Sequence, residues 1–555
     1  MNKYTLNIDG YFECDGARFI PVGANWWPAS CGVELWQQWP EDEIKHDLDV
    51  MVKLGLNSLR FFLRWQDFEP EAGVYNHLNF ERLDMLLGWF AEHNLAAHPS
   101  LFVGFMSGGV FWPQWKEGRN LFSDPYMCER STAFAKEATK VIARHKNCVL
   151  AIDQGNELCC LEDSRQAPPS AVQNWCSDIN LAIRTEWQNA IIISGNEQNQ
   201  IQSDTGWRLD NQQDCDLLSM HAYPVPGWHS VAFDGMTDLF CQSLLPFYTR
   251  VAREFAPVMV QEFGTIVTFG KKQQDSYLKT ILPECWKSGS NGFLWWCLRD
   301  ITGDIHPYSA HGFETTLGLI DANDNVKPGL EYYIKFCKSL NELPAPIESK
   351  NAIGLYWPKF WWNRDVPENA GNNPSTNTSH LLIANHLLRT GGHDVQIVRG
   401  DLPLTGDVKV LIITSINLRV EEAEALSEWV LNGGKLIWHG VDNETWGTAY
   451  KNLIGAVPVD YRAIAGPRIG EIGGKNWSFN SFPRGKRCEI ETRGADVLIA
   501  DQDGNPLATR YHLGKGTVIA VYPTVEDMPV SVSDNPAKRD EWAAWYEAML
   551  VEVEK

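Results

Sequence analysis

The chain has 555 residues, 44% of them hydrophobic and 21% charged, with a formal net charge of −22. That length predicts two or three domains with ample core. The acidic balance argues against a nucleic-acid or anionic-membrane partner, and no apolar run reaches spanning length. The N-terminal stretch has no apolar signal core, and the 13 cysteines follow no regular spacing, so reduced thiols in a cytoplasm are expected. The 24 tryptophans suit sugar stacking as well as cores.

In chain order, Phe19 to Asn25 reads as a short strand ending in Asn25-Trp26-Trp27. Pro40 and the acidic Glu41-Asp42-Glu43 open a helix with Ile44, Leu48 and Met51 on one face, closed by Gly55. Asn57 to Leu63 is the second strand, a helix with Phe80, Leu83, Leu87 and Phe90 follows, and Leu95 to Ser100 is the third strand. An aromatic loop comes next, Val103 to Phe122, carrying Phe105, Phe111, Trp112 and Trp115. Strand four runs from Asn147 to Gly155 and strand five from Ala190 to Gly195, after a helix beginning near Ala171. Asp216 to His221, Pro257 to Glu262 and Gly292 to Trp296 are strands six, seven and eight, with a second long loop from Ala222 to Leu245. Strands alternating with helices over residues 1–342 count out a (β/α)8 TIM barrel with enlarged loops.

Pro344-Ala-Pro346 reads as a linker. Beyond it, strands at Ala352–Trp357, Asp394–Val398 and Val408–Thr414 alternate with helices at Ser379–Leu388 and Glu421–Leu431. This layer, residues 343–450, is similar to flavodoxin-like and amidotransferase-like α/β domains. Residues 451–555 are richer in turns and form a β-rich C-terminal part that packs with the second domain and ends in a helix. Val408–Thr414 leads into Ser415-Ile-Asn417 with no nucleophilic cysteine, which favours a scaffold over a second enzyme.

Residues at the C-terminal ends of barrel strands line one mouth. Sorted by strand, the mouth holds Asn25 and Trp26, Arg60, His98, Asn156 and Glu157, Asn196 and Glu197, His221 and Tyr223, Glu262, and Trp295. Any barrel carries some polar residues at its strand ends. Two apolar strands that each stop on a glutamate, Glu157 and Glu262, point further, to paired-carboxylate chemistry. Asn196-Glu197 repeats the Asn156-Glu157 dipeptide, so Glu197 competes with Glu157 if a strand is miscounted. Strand order favours Glu157 and leaves Glu197 as a rim acid. There is no His-Glu-x-x-His, no paired zinc spacing among the cysteines and no Gly-x-Ser-x-Gly. No metal and no other cofactor is expected.

Gly55-Leu-Asn57-Ser-Leu-Arg60, Gly155-Asn156-Glu157, His221-Ala-Tyr223, Val260-Gln-Glu262-Phe-Gly264 and Trp295-Trp296 occur in this order, and Leu317 to Pro328 closes the barrel segment. In these pieces the chain resembles the retaining glycoside hydrolases of clan A, most of all family 5, the cellulase, β-mannanase and β-mannosidase family. The resemblance implies Glu157 as acid/base and Glu262 as nucleophile, with carboxyls about 5–5.5 Å apart. It implies that Asn156 bonds the sugar 2-OH, that His221 and Tyr223 orient the carboxyls, that Arg60 and Tyr223 keep Glu262 ionised, and that Trp295 is a platform beneath the sugar. His98, Trp26, Trp112 and Glu197 are the further substrate-binding candidates. The expected enzyme is a cytoplasmic, retaining β-glycosidase acting exo on β-linked oligosaccharides, with β-mannosides favoured among the sugars. An endo-acting cellulase or mannanase, a β-galactosidase or β-glucosidase, a transglycosylase and a non-catalytic carbohydrate-binding barrel stay open. By analogy with appended domains in β-galactosidases and β-mannosidases, the second domain is expected to support a homo-oligomer and to wall off the cleft.

Overall fold

The computed structural model describes residues 3–212, 214–224, 236–265, 270–310, 312–344, 352–359, 374–404, 407–415, 417–442, 447–532 and 535–555. The expected linker past Pro344, the middle of the loop after strand six and Ile416 lie outside them. The chain divides into two compact units, one built almost wholly from residues up to 347 and one chiefly from 348 onward.

The first unit is a barrel of β1 (Val22–Asn25), β2 (Ser58–Phe62), β3 (Ala96–Val103), β4 (Ile152–Asn156), β5 (Ile192–Ile193), β6 (Leu218–His221), β7 (Val258–Phe263) and β8 (Ser290–Trp295). Every neighbouring pair in the order β5-β4-β3-β2-β1-β8-β7-β6 is parallel. A parallel bridge between Ile193 and Leu217 joins the two ends and closes the barrel. The strands are buried throughout their length, which explains their near-continuous apolar runs. Where the sequence predicts the first helix, Glu41–Leu54 buries Ile44, Leu48 and Met51 and stops at Gly55 (φ 77°). That left-handed position suits glycine.

Three short antiparallel strands, Tyr4–Leu6, Phe12–Cys14 and Ala17–Arg18, precede the barrel. Stretches this short carry no readable alternation, and the sequence did not announce them. Tyr4 and Phe12 cluster with Ala96, Leu150, Ile191, Leu217 and Met259. Those residues lie at the N-terminal ends of the barrel strands, so the small sheet plugs that end with apolar surface. Polar groups are left to the opposite end.

At that end, the loop after β3 is anchored by aromatic packing. Trp65 meets Phe102, Trp112, Trp115 and Phe134 at centroid distances of 5.1, 6.3, 5.1 and 5.7 Å. Burying a large apolar side chain contributes about 1.5–3 kcal/mol. This cluster therefore fixes the chain on both sides of Phe105, whose carbonyl enters the site described below.

The second unit has a seven-stranded sheet. Its strands are β9 (Ile353–Trp357), β10 (Val395–Arg399), β11 (Val410–Ile413), β12 (Lys435–Trp438), β13 (Asp496–Ala500), β14 (Pro506–Leu513) and β15 (Gly516–Val521). The parallel part, β10-β9-β11-β12-β15, has the spatial order 2-1-3-4-5 of flavodoxin-type doubly wound sheets. β14 and β13 add an antiparallel edge. The sheet thus draws strands from both sides of residue 450, with β15 completing the parallel run that β9 begins.

Candidate active site

Glu157 and Glu262 converge at the C-terminal ends of β4 and β7. One oxygen of each and a ring nitrogen of His221 all lie within 4.8 Å of one another. Glu157 immediately follows β4 in the left-handed region (φ 50°) and caps the 3-10 turn Leu158–Cys160. A non-glycine residue there is uncommon and clusters at functional sites. Its side chain stays 14% exposed, whereas that of Glu262 is only 5% exposed. On β6, a register shift between Met220 and His221 sets His221 opposite Glu262.

Arg60, wholly buried on β2, ties three strands together. Its guanidinium donates to Asp153 Oδ2 from Nε and Nη2 (2.9 and 2.5 Å), and from Nη1 to Glu262 Oε1 (2.6 Å) and Asn25 Oδ1 (3.1 Å). The Tyr223 hydroxyl donates to the other Glu262 oxygen at 2.9 Å. Both glutamate oxygens therefore face fixed donors. The Arg60 guanidinium also lies over the Phe62 ring at 4.6 Å.

A hydrogen-bond chain fixes the protonation of Glu157. The Gln261 amide nitrogen faces His98 Nε2 (3.2 Å) and Asp153 Oδ2 (3.4 Å). Its carbonyl oxygen is left for His221 Nε2 at 3.0 Å, so that nitrogen carries the proton. Burial holds His221 below its ordinary value and therefore neutral, with Glu262 opposing and Arg60 reinforcing the shift. A neutral ring protonated on Nε2 offers Nδ1 only as an acceptor. Glu157 Oε1, 2.9 Å from Nδ1, is then the donor and carries a proton. Electrostatics agrees. Burial pushes Glu157 up to about 7; Arg60 works against this and Glu314 with it. Burial also raises Glu262, while Arg60 and the Tyr223 hydroxyl pull it back against Glu157. One carboxyl is held as an acid and the other is surrounded by groups that favour its anion.

The remaining sequence candidates divide. Asn156 sits beside Glu157, its amide donating to Phe105 O at 2.8 Å, while its buried Oδ1 has no partner among the described residues. His98 is buried behind Gln261, and burial keeps it well below its ordinary value. Trp112 is half-buried in the aromatic loop, edge-on to Trp65 with Lys116 over its ring. Glu197 is held by the turn after Glu157 and by the Asn199 backbone. Its Oε1 accepts from Cys160 Sγ, Cys159 Sγ and the Asn199 backbone, and burial, with Glu157 adding to it, raises it to about 8.

Two expectations need correction. Trp295 is wholly buried, packed between Phe263 and Tyr333, with its indole N–H on Leu317 O; no face is left for a sugar. The next residue, Trp296, is the indole on the site's side, with its N–H on Glu314 Oε2 (3.3 Å) and its ring edge-on to Phe62. Trp26 is also wholly buried and donates to Asp47 on the first helix, a carboxylate that also pairs with Arg299.

Sequence reasoning missed Asp153, Gln261, Trp296 and Glu314. An aspartate inside the apolar strand Ala151-Ile-Asp153 was a readable signal, since a buried charge demands a partner. Glu314 had none. It lies in the loop beyond β8, where Ser107 Oγ from the β3 loop donates to it at 3.0 Å.

No family model and no curated protein matches this chain. Among solved structures, the exo-β-1,4-mannosidase Op5Man5 from Opitutaceae bacterium strain TAV5 is 44% identical, with 98% of this chain and 99% of that chain covered and a TM-score of 0.94. A GH5_18 protein from Streptomyces cattleya, solved with GlcNAc, is 18% identical over 69% of this chain and 94% of its own, at a TM-score of 0.61. A β-galactosidase from Rahnella sp. R3 is 14% identical over 96% and 88%, at 0.71; these last two show likeness of fold. With a barrel of eight parallel strands and a relative of such identity across nearly its whole length, the chain belongs to the retaining glycoside hydrolases of clan A and is most like family 5.

Proposed function

We propose that this chain is an exo-acting β-mannosidase that releases mannose from the non-reducing ends of β-linked oligosaccharides with retention. The observation that carries the proposal is the close carboxyl pair with opposite proton conditions. Oxygens within 4.8 Å suit a retaining pair, about 5–5.5 Å between carboxyls, and leave no room for the water of an inverting site. The exo mode and the sugar are supported by the 44% identical relative, an exo-β-1,4-mannosidase.

Glu262 attacks the anomeric carbon as the glycosidic C–O bond breaks, and the Glu157 proton passes to the leaving oxygen. The product is a glycosyl ester on Glu262 and an ionised Glu157. That carboxylate then takes a proton from water as the water oxygen displaces Glu262, and both residues return to their starting states. Asn156 is placed for the 2-OH, where hydrogen bonds strengthen as the oxocarbenium character grows. Trp296 takes the platform role expected of Trp295. The Glu314 carboxylate, beside Trp296 and Ser107, offers an acceptor for sugar hydroxyls at the rim.

All 13 cysteines are free thiols, which supports a reducing cytoplasm. No described helix is long and apolar enough to cross a membrane. Assembly through the second unit is part of the proposal by analogy with appended domains, and light scattering reads it directly.

The test is a panel of aryl β-glycosides (mannoside, glucoside, galactoside, xyloside) with the wild type, Glu157→Ala and Glu262→Ala. The expected result is mannoside cleavage with the β-anomer formed first, abolished in Glu262→Ala and rescued by azide in Glu157→Ala. An α-anomer as first product overturns the mechanism. A fall in mannan viscosity without release of monosaccharide overturns the exo mode.

A further inference from the structure

The turn that follows Glu157 buries a second group of reactive side chains. Cys159 and Cys160 lie on the 3-10 turn Leu158–Cys160, and Glu197 follows β5. Cys160 Sγ is 3.2 Å and Cys159 Sγ 3.5 Å from Glu197 Oε1, and one ligand atom from each of the three residues lies within 4.8 Å of the others. In a tetrahedral zinc site, with Zn–S of about 2.3 Å and Zn–O of about 2.0–2.2 Å, the S···O edges come to about 3.5 Å. The two edges here already have that length.

The surroundings suit a cation as well. Cys159 is wholly buried and Glu197 is 4% exposed, yet no lysine, arginine or histidine pairs with Glu197 among the described residues. Buried carboxylates are ordinarily paired or ligate metals. Around the three ligands stand donors of the kind that orient metal-bound thiolates and carboxylates. The Asn199 amide donates to Cys160 Sγ (3.6 Å) and its backbone N–H donates to Glu197 Oε1 (2.8 Å), while Asn196 Oδ1 accepts from the Cys159 backbone N–H (3.0 Å) and holds the turn in place. Cys160 is only half-buried, which leaves a route in. The sequence hid this group because the third ligand lies 37 residues beyond Cys160, outside any spacing pattern.

We propose that Cys159, Cys160 and Glu197 form a binding site for a thiophilic divalent cation of the zinc and cadmium class, with the fourth position taken by water. The two thiols release their protons to solvent as the metal–sulfur bonds form, with no change in oxidation state. The loaded site pins the turn capped by Glu157, so loading slows turnover.

Cadmium titration of the reduced full chain tests this through the ultraviolet thiolate-to-cadmium charge-transfer band. The band is expected to saturate at one equivalent, to fall by about half in Cys160→Ser, to vanish in Cys159→Ser/Cys160→Ser, and to persist in Cys128→Ser. A band that is equal in wild type and the double variant, or lost in Cys128→Ser, overturns the site. Melting curves verify that each variant is folded. X-ray absorption of the zinc-loaded wild type needs no variant: two sulfur neighbours at about 2.3 Å are expected, and a shell without sulfur overturns the proposal. Cadmium is also expected to inhibit wild-type hydrolysis reversibly with a chelator and to spare Cys160→Ser; equal inhibition of both refutes the link to turnover.

Discussion

Replacing Glu157 with glutamine is expected to destroy general-acid catalysis while making the barrel more stable, and only at neutral to alkaline pH. The amide keeps the hydrogen bond, because its N–H donates to His221 Nδ1 as the protonated carboxyl does at 2.9 Å. What it removes is the ionisable proton. In the folded chain, burial lifts Glu157 from 4.5 to about 7. The folded state therefore binds this proton more tightly than the unfolded state does. The wild type has the full benefit below the unfolded value, and loses it progressively as pH rises to about 7. The ceiling of that loss is about 3 kcal/mol at 1.36 kcal/mol per pH unit, and sharing of charge with Glu197 and Glu314 brings the expectation to about 1–3 kcal/mol. Glutamine never pays it. Urea melts at pH 4 and pH 8 measure the effect: the variant should match the wild type at pH 4 and exceed it at pH 8. An equal difference at both pH values, or a less stable variant at pH 8, would refute the protonated-acid reading.

The same assignment predicts that kcat/KM falls as pH rises through about 7, where Glu157 loses its proton. In His221→Ala the neutral acid loses its acceptor, so this alkaline limb should move to lower pH; a limb that stays in place counts against the hydrogen-bond chain. Arg60→Met leaves the buried Asp153 and Glu262 without their shared cation and is expected to cost about 3–5 kcal/mol in denaturant melts, a claim that fails if the midpoint is unchanged. Both indoles are buried, so Trp295→Ala and Trp296→Ala should each destabilise by about 3–5 kcal/mol, but under conditions where both stay folded only Trp296→Ala should lower kcat/KM, by about 10-fold or more; the reverse pattern restores Trp295 as the platform. In the second unit, burial alone would raise Glu526, but His439, His380 and Ser415 hold it at about 2. Stability from this depressed carboxyl is present above about pH 4.3 and lost as pH falls towards 2, so tryptophan fluorescence should report acid unfolding that His439→Gln shifts to higher pH.

The barrel was legible because parallel strands buried on both faces leave continuous apolar runs, and the helix at Glu41–Leu54 announces itself by an acidic start and a glycine stop. Strand order then placed Glu157 and Glu262 on one mouth from the sequence alone. Rotation about the strand was harder to read. Trp295 ends β8 and Trp296 follows it, and alternation sends one inward and one out; the β7–β8 pairing has register shifts, so counting could not settle which. Groups that act through contacts made only in the folded chain were invisible too. Gln261 matters because its amide bridges His98 and His221, and Glu314 because Ser107 from another loop meets it. The small N-terminal sheet escaped for want of length.

Charge balance in the buried site explains why the acid and the nucleophile differ. Arg60 is one guanidinium facing Asp153 and Glu262 directly, and Glu157 and Glu314 lie within the same field. One cation in a poorly solvated pocket does not support four anions, so some carboxyls must stay protonated. Glu262 has the strongest claim on the anion because Arg60 and Tyr223 each bond one of its oxygens. Glu157 has no arginine contact and an acceptor in His221, so the proton rests there. The reaction preserves this balance at each step. When Glu262 becomes a neutral ester, Glu157 has just surrendered its proton, and the single negative charge has moved from one side of the sugar to the other. With the nucleophile's charge gone, the Arg60 field that already opposes the rise of Glu157 is shared with one anion fewer. Glu157 becomes a base at the moment a water must be deprotonated. A site with a second cation beside Glu157 would ionise it too early and forfeit the first step. Arg60 therefore does its work by reaching Glu262 and stopping short of Glu157.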